Sequence, residues 1–210
     1  MQWSDTGIVL SARKHGETSA IVHLLTAQHG RHAGLVRGGA GRRVRSILQA
    51  GNELQVTWRA RLSDHLGTFT VELMRARAAD VMHDPARLAA YAAATETVDA
   101  ALPERAADAA GFDQFGALLD AIATSDDWPL AYARWELGLL ASLGFGLEPA
   151  AAAMVPFLAG QAAPTEARPQ RAAVLEALAL TGEHLPQALA DAKGLPARAR
   201  LLERLRRSDH

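Results

Sequence analysis

The sequence predicts an α+β protein of two domains, an N-terminal five-stranded OB-like β-barrel over residues 1–80 and an all-α domain over residues 81–210. Three observations lead there. Between Thr6 and Arg77, short apolar or alternating runs recur about every 8–15 residues with turn signals between them and no helical period, the mark of a small antiparallel barrel or sandwich. From Asp84 onward the apolar spacing becomes helical. The charge changes sign at the same place. Residues 1–82 hold 11 Lys+Arg against 6 Asp+Glu, a balance of +5, and residues 83–210 hold 11 against 17, a balance of −6.

The strands come first. Gly7-Ile-Val-Leu-Ser-Ala-Arg-Lys14 is an apolar run that turns polar, ended by His15-Gly-Glu-Thr-Ser19. Ala20–Thr26 is a second run and Arg31–Arg37 a third. Leu54, Val56 and Trp58 alternate with polar residues, as do Phe69, Val71 and Leu73, which marks two half-buried strands. A closed barrel is the economical arrangement for five such strands, because closure removes exposed edges.

The helices follow. Asp84-Pro85 places a capping acid before a proline in the first turn, and apolar residues then recur to Leu102. Phe112 to Ile122 forms a second amphipathic helix. Pro129 to Leu143 is apolar nearly all round, so it is expected to be buried on several sides and to stop at Leu143-Gly-Phe-Gly146. Residues 147–170 are rich in alanine and proline and are read as an irregular connection. Helices over 170–180, 186–192 and 196–206 complete the chain, with a basic end on the last.

Composition excludes several classes. There is no cysteine, so disulfides and thiolate metal sites are ruled out. No apolar run approaches the ~20 residues that span a bilayer, and Met1–Asp5 lacks a secretory pattern. A cytoplasmic protein without a membrane partner is expected.

The densest chemistry lies in Arg37-Gly-Gly-Ala-Gly-Arg-Arg-Val-Arg-Ser46, where the glycines argue for a mobile cationic loop rather than a regular helix or strand. From Arg31 to Arg61 there are seven arginines and one acid, Glu53. The bland reading is a solvated hairpin tip. The functional reading is a polyanion site built from Arg13, Lys14, Arg31, Arg37, Arg42, Arg43, Arg45, Arg59 and Arg61, since guanidinium groups take phosphate bidentately. The barrel half carries only three aromatics, Trp3, Trp58 and Phe69, and the last two fall in the apolar phase of strands. Base stacking is therefore poorly supplied, and binding is expected to be electrostatic and indifferent to sequence.

Five histidines, His15, His23, His29, His32 and His65, are the competing lead, but no acid completes a metal triad and no H-E-x-x-H motif occurs. They read as satisfied surface residues, with His15 and His32 adding charge to the nucleic-acid face below neutral pH. Asp126, Asp127 and Glu136 read as capping and ion-pairing groups. Arg134 interrupts the apolar helix beside Tyr132 and Trp135. It reads as half of a buried ion pair, with Glu96 or Asp120, or as a cationic anchor that with Tyr132 holds an acidic-hydrophobic peptide tail.

The order of several short stretches resembles one family. They are Gly7-Ile-Val-Leu, His15-Gly-Glu-Thr-Ser, Leu24-Leu-Thr-Ala-Gln-His-Gly30, Gly34-Leu-Val-Arg-Gly-Gly-Ala-Gly-Arg-Arg43, Gly67-Thr-Phe-Thr-Val-Glu-Leu73, Arg134-Trp-Glu-Leu137 and Leu143-Gly-Phe-Gly146. Together they are similar to the RecO family of bacterial DNA repair and recombination mediators over about two thirds of the chain. The resemblance implies an OB-fold domain and a helical domain. It also implies binding of single- and double-stranded DNA, annealing of complementary strands and help in recombinase loading. The implied partners are RecR and the acidic C-terminal tail of single-strand-binding protein. Many members carry a cysteine zinc site just after the Leu-Gly-aromatic-Gly stretch. Here Leu147–Thr165 has no cysteine, so either the metal is lost and alanines pack the segment, or the subregion is shortened, and zinc is not carried over. The alternatives are an RNA-binding OB module, an enzyme using the N-terminal histidines with a metal, and a protein-interaction scaffold without nucleic-acid binding.

Overall fold

Ile8, Val9 and Leu10 are consecutive, apolar and buried, which means that the first strand has no solvent face there. In the computed structural model, which describes residues 1–62, 65–145, 167–189 and 194–207, this strand is the seam between sheet and helices. Val9 points into a core with Val22, Leu24, Leu54, Val56, Trp58 and Phe69. Ile8 and Leu10, with Leu25, pack instead among Tyr91, Val98, Phe115 and Leu119 of the helices. Burial of both faces explains the unbroken apolar run.

Five strands, β1 (Gln2–His15), β2 (Ser19–Thr26), β3 (Gly30–Val36), β4 (Glu53–Arg59) and β5 (Thr68–Arg75), close into a barrel of order β1-β2-β3-β5-β4. All pairings are antiparallel except β3 with β5, where Leu35 pairs with Thr68 and Val36 with Phe69. The arrangement fits the OB-like expectation. β1 is longer than the sequence suggested because it serves two neighbours. Gln2–Ile8 pairs with β4 and Gly7–His15 with β2, with a register shift between Val9 and Ser11. At that shift the Val9 amide donates to the Asn52 carbonyl (2.9 Å) and the Gly51 amide to the Val9 carbonyl (2.8 Å). Gly34 on β3 leaves room for the Phe69 ring, which a Cβ there would strike.

The helices are α1 (Arg42–Ile47), α2 (Arg77–Val81), α3 (Pro85–Ala101), α4 (Ala109–Thr124), α5 (Trp128–Ser142), α6 (Ala167–Ala188) and α7 (Pro196–Arg207). Asp84 caps α3 as expected, accepting from the amides of Ala86 and Arg87. At the end of α5 the Phe145 amide reaches the Leu140 carbonyl and the Gly144 amide the Ala141 carbonyl, with Gly144 at φ 84°. This is the left-handed cap read from Leu-Gly-Phe-Gly. α6 is one helix with Pro186 inside it, where the sequence suggested two. It begins at Ala167, and most of the expected irregular connection lies outside the described residues.

Two salt-bridged joints hold sheet to helices and helix to helix. Arg77 on α2 donates to Glu53 on β4 and to Asp120 on α4, so one guanidinium joins three elements. Burial works against its charge, and the two carboxylates more than compensate, raising its pKa. Deeper in, Arg198 of α7 makes a bidentate pair with Glu136 of α5, at 2.8 and 2.7 Å, with Glu136 wholly buried. Thr181 of α6 donates to the same carboxylate.

Candidate nucleic-acid interface

Arg42, Arg43 and Arg45 are on a helix. This corrects the reading of Arg37–Ser46 as a mobile loop. Gly38 at φ 71° makes a tight turn, with Gly39 donating to the Val36 carbonyl, Gly41 to Gly38 and Ala40 to Thr18. Immediately after the last glycine, α1 begins. Its signal was in the sequence: Val44, Ile47 and Leu48 stand at i, i+3, i+4 and form an apolar stripe against the barrel core, Leu48 being buried. The stripe leaves Arg42, Arg43, Arg45 and Ser46 outside. The buried Asn52 holds the helix end, its side-chain amide donating to the carbonyls of Ser46 and Ile47 while its oxygen accepts from the Ala78 amide.

The other exposed barrel cations fall into two groups, one beside this helix and one at the end of β4. Lys14 pairs with Ala20, Ala20 with Val36, Val36 with Phe69 and Phe69 with Trp58, a single row across four strand gaps. The row runs round most of the closed barrel, and its two ends meet β1 eleven residues apart, since Trp58 pairs with Trp3. Lys14 lies at one end with Arg13 next to it. Arg37 follows Val36, and Arg59 follows Trp58 at the other end. Arg61 lies just beyond. Lys14 and Arg45 line one shallow hollow with Gly39 and Ala40, and Arg59 and Arg61 line another with His65 and Gly67. All eight side chains are exposed, and none has an acidic partner among the described residues. Like charges within each group repel one another, and a polyanion relieves that repulsion.

Arg31 does not belong to this group. Its guanidinium is mostly buried and donates to the Leu102 carbonyl (2.8 Å) and to Asp99 (3.2 Å), with Glu104 at 3.6 Å. Asp99 also accepts from Ser11, and His23 lies 2.7 Å away. Burial disfavours the Asp99 carboxylate, but the bonds to His23 and Ser11 and the charge of Arg31 hold its pKa below the usual carboxylate value. The Arg31 charge is spent on fastening β3 to the end of α3.

Sequence comparison bears on what such a face is for. The family model described as Recombination protein O N terminal matches residues 1–77, and Recombination protein O C terminal matches 82–153. The chain belongs to the RecO family. It is 53% identical over 153 residues to the DNA repair protein RecO of Rhodospirillum rubrum, covering 70% of this chain and 61% of that protein. It is 54% identical over 148 residues to that of Rhodospirillum centenum (70% and 59%) and 48% identical over 147 to that of Roseobacter denitrificans (70% and 61%). The chain spans about three fifths of the length of these curated relatives.

Against the RecO expectations, the histidines need correction. His32 is buried, not on the surface. Burial, helped by the charges of Arg105 and His29, pushes its pKa down to about 4, so it is neutral at physiological pH and adds no charge to the basic face. His29 is 2.8 Å from the buried Asp5 and His23 is paired with Asp99. Among the described residues no group of three or more His, Asp or Glu side chains is placed to hold a metal. The cysteine zinc site of the RecO family does not fit this sequence, which has no cysteine. No helix among the described residues is long and apolar enough to cross a membrane.

The helical site read around Arg134 and Tyr132 also changes. Two residues apart on α5, they face opposite ways: Arg134 is exposed and Tyr132 is fully buried, packed against Trp135. Burial and the neighbouring Glu136 hold the Tyr132 phenol well above its ordinary pKa. Tyr132 therefore cannot line an accessible peptide groove. The buried ion pair at this level of α5 is made by Glu136 with Arg198. Glu96 instead accepts the amides of Ala197 and Arg198 at the start of α7, and Asp120 is taken by Arg75 and Arg77.

Proposed function

We propose that this chain is a non-catalytic DNA-binding mediator of repair and recombination. It binds single- and double-stranded DNA through Arg13, Lys14, Arg37, Arg42, Arg43, Arg45, Arg59 and Arg61. The observation that carries the reading is the contrast in charge pairing: these eight cations are exposed and have no acidic partner among the described residues, while Arg31, Arg75, Arg77, Arg87 and Arg198 are each matched by an acid. A chain with a net charge of −1 that leaves these eight cations without acidic partners among the described residues is built to meet an external polyanion.

Binding is governed by phosphate neutralisation and is indifferent to base order at this face. Arginines that screen phosphate repulsion between two strands while leaving base edges free also favour annealing. The same protein assists recombinase loading, with RecR and the acidic tail of single-strand-binding protein as partners, without cofactor, in the cytoplasm near the nucleoid.

Anisotropy of labelled single-stranded DNA across a salt series tests the reading. The expected result is tight binding whose logarithm falls with log salt at about −0.7 per neutralised phosphate. Weak, salt-insensitive binding would move the face to an acidic protein partner, and a marked preference for RNA of the same sequence would replace DNA with RNA.

A further inference from the structure

The barrel holds, where β1 meets β4, a group of rings that electrostatic binding does not use. His29 stacks on Trp3 with centroids 4.0 Å apart and planes 8° from parallel. Trp3 in turn lies 18° from parallel to Trp58, at 5.6 Å. His32 stands edge-on to both indoles, at 5.1 and 4.9 Å. Trp58 is buried, while the His29 side chain is 32% exposed, so His29 is the outer rung of the ladder. Asp5 fixes that rung, lying 2.8 Å from its Nδ1 and also accepting the Gln28 amide. The rings border a hollow of about 440 Å³ whose rim includes Gln28 and Arg105, a volume within the ~300–1,000 Å³ of small-ligand sites.

Arg105 is the second independent feature. It is the only non-glycine residue with positive φ (62°) among the described residues. Its amide donates to the Arg31 carbonyl (2.8 Å), which holds the strained turn against β3. Its guanidinium donates to the His65 carbonyl (3.2 Å), and His65 lines the neighbouring hollow with Arg59 and Arg61. One cation, Arg105, thus borders the ring-lined hollow, and its bond to His65 links it to the neighbouring hollow of Arg59 and Arg61. Strain of this kind persists where the surroundings over-determine it, often at ligand sites.

We propose that this hollow takes one unstacked base of single-stranded DNA against the His29–Trp3 ladder, with the flanking phosphates on Arg59, Arg61 and Arg105. The inference rests on the DNA-binding reading and deepens it. The α1 face is blind to strandedness, whereas this site engages only a base that has left the duplex stack, and it tolerates any base because each has a π-face. His32, whose two ring nitrogens have no hydrogen-bond partner among the described residues, stands in the wall of the hollow.

The test compares two single-stranded probes of equal charge, about 15 residues long. One is oligothymidylate and the other is the same backbone made entirely of abasic sites, each titrated against the 210-residue chain. The expected result is a preference for the base-bearing strand of about five- to a hundredfold. Trp3→Leu removes the middle ring. Arg105→Gly removes a rim cation while relieving the positive-φ strain, so it folds at least as well as the parent. Trp3→Leu, and His29→Ala at the outer rung, are expected to shrink the preference toward one, while Arg105→Gly, which loses a phosphate contact, should weaken both probes. The triple change Arg42→Ala/Arg43→Ala/Arg45→Ala should weaken both probes equally and leave the ratio intact. Equal binding of the two probes by the parent chain overturns the base site while leaving the electrostatic reading standing. A preference untouched by both Trp3→Leu and His29→Ala also overturns it. Failure to bind either probe overturns both readings.

Discussion

Arginines serve two opposite purposes in this molecule, and the α1 face and the barrel–helix joints separate them. On and beside α1 the guanidinium groups are exposed and unpaired, and their mutual repulsion costs stability. At the joints Arg31, Arg77 and Arg198 are largely buried and matched, each tying elements far apart in sequence. The same side chain is a ligand-binding group where its charge is left open and a structural fastener where the fold supplies the acid. Composition cannot tell these apart; only the presence of a carboxylate within reach does.

The sharpest way to break the comparison is at the buried pair. Glu136→Ala strands Arg198 without its partner and should destabilise the fold by about 3–5 kcal/mol, read as a lower urea midpoint. Replacing both residues with apolar groups of similar size should cost far less. A single substitution that leaves the midpoint unchanged would put Arg198 among the open cations.

Next comes pH. His32 is buried neutral, with a pKa of about 4 against 6.5 for a free histidine. The folded state therefore binds fewer protons than the unfolded chain between those values, and stability falls as pH drops through that window. The loss approaches about 3 kcal/mol by pH 4. Urea titrations at pH 7 and pH 4.5 measure it, and His32→Leu should remove this part of the dependence.

Arg31→Ala should cost about 1–3 kcal/mol through the lost bonds to Asp99 and Leu102, with no change in the salt slope of DNA binding. A shallower slope in that variant would return Arg31 to the phosphate-binding set. Smallest on stability, each of Arg42→Ala, Arg43→Ala and Arg45→Ala should shift unfolding by no more than about 0.5 kcal/mol. Together they should reduce the salt slope by about 2, at 0.7 for each of three phosphates. This inverse pattern, stability without binding at Arg31 and binding without stability on α1, is what separates the two populations.

Five strands followed by helices could be read from alternation, turn residues and the Asp-Pro and Leu-Gly-Phe-Gly caps, because those signals are local. Eight of the nine cations named from the basic composition of this half are exposed. α1 was missed because three glycines drew attention from the Val44, Ile47, Leu48 stripe that follows them. Arg31 was misread because its partners, Asp99 and Glu104, are some seventy residues away. The ring ladder was invisible for the same reason: Trp3, His29, His32 and Trp58 come from three strands and a turn.

The sequence by itself determined the order of elements, their caps and the amount of charge on the barrel half, all properties set within a few residues of one another. Tertiary structure alone decided which arginines are neutralised, that His32 is uncharged, that Tyr132 is inaccessible and that two indoles and two imidazoles meet at one barrel end. Those outcomes depend on burial and on partners brought together by barrel closure and helix packing, and neither is encoded in any short stretch of chain.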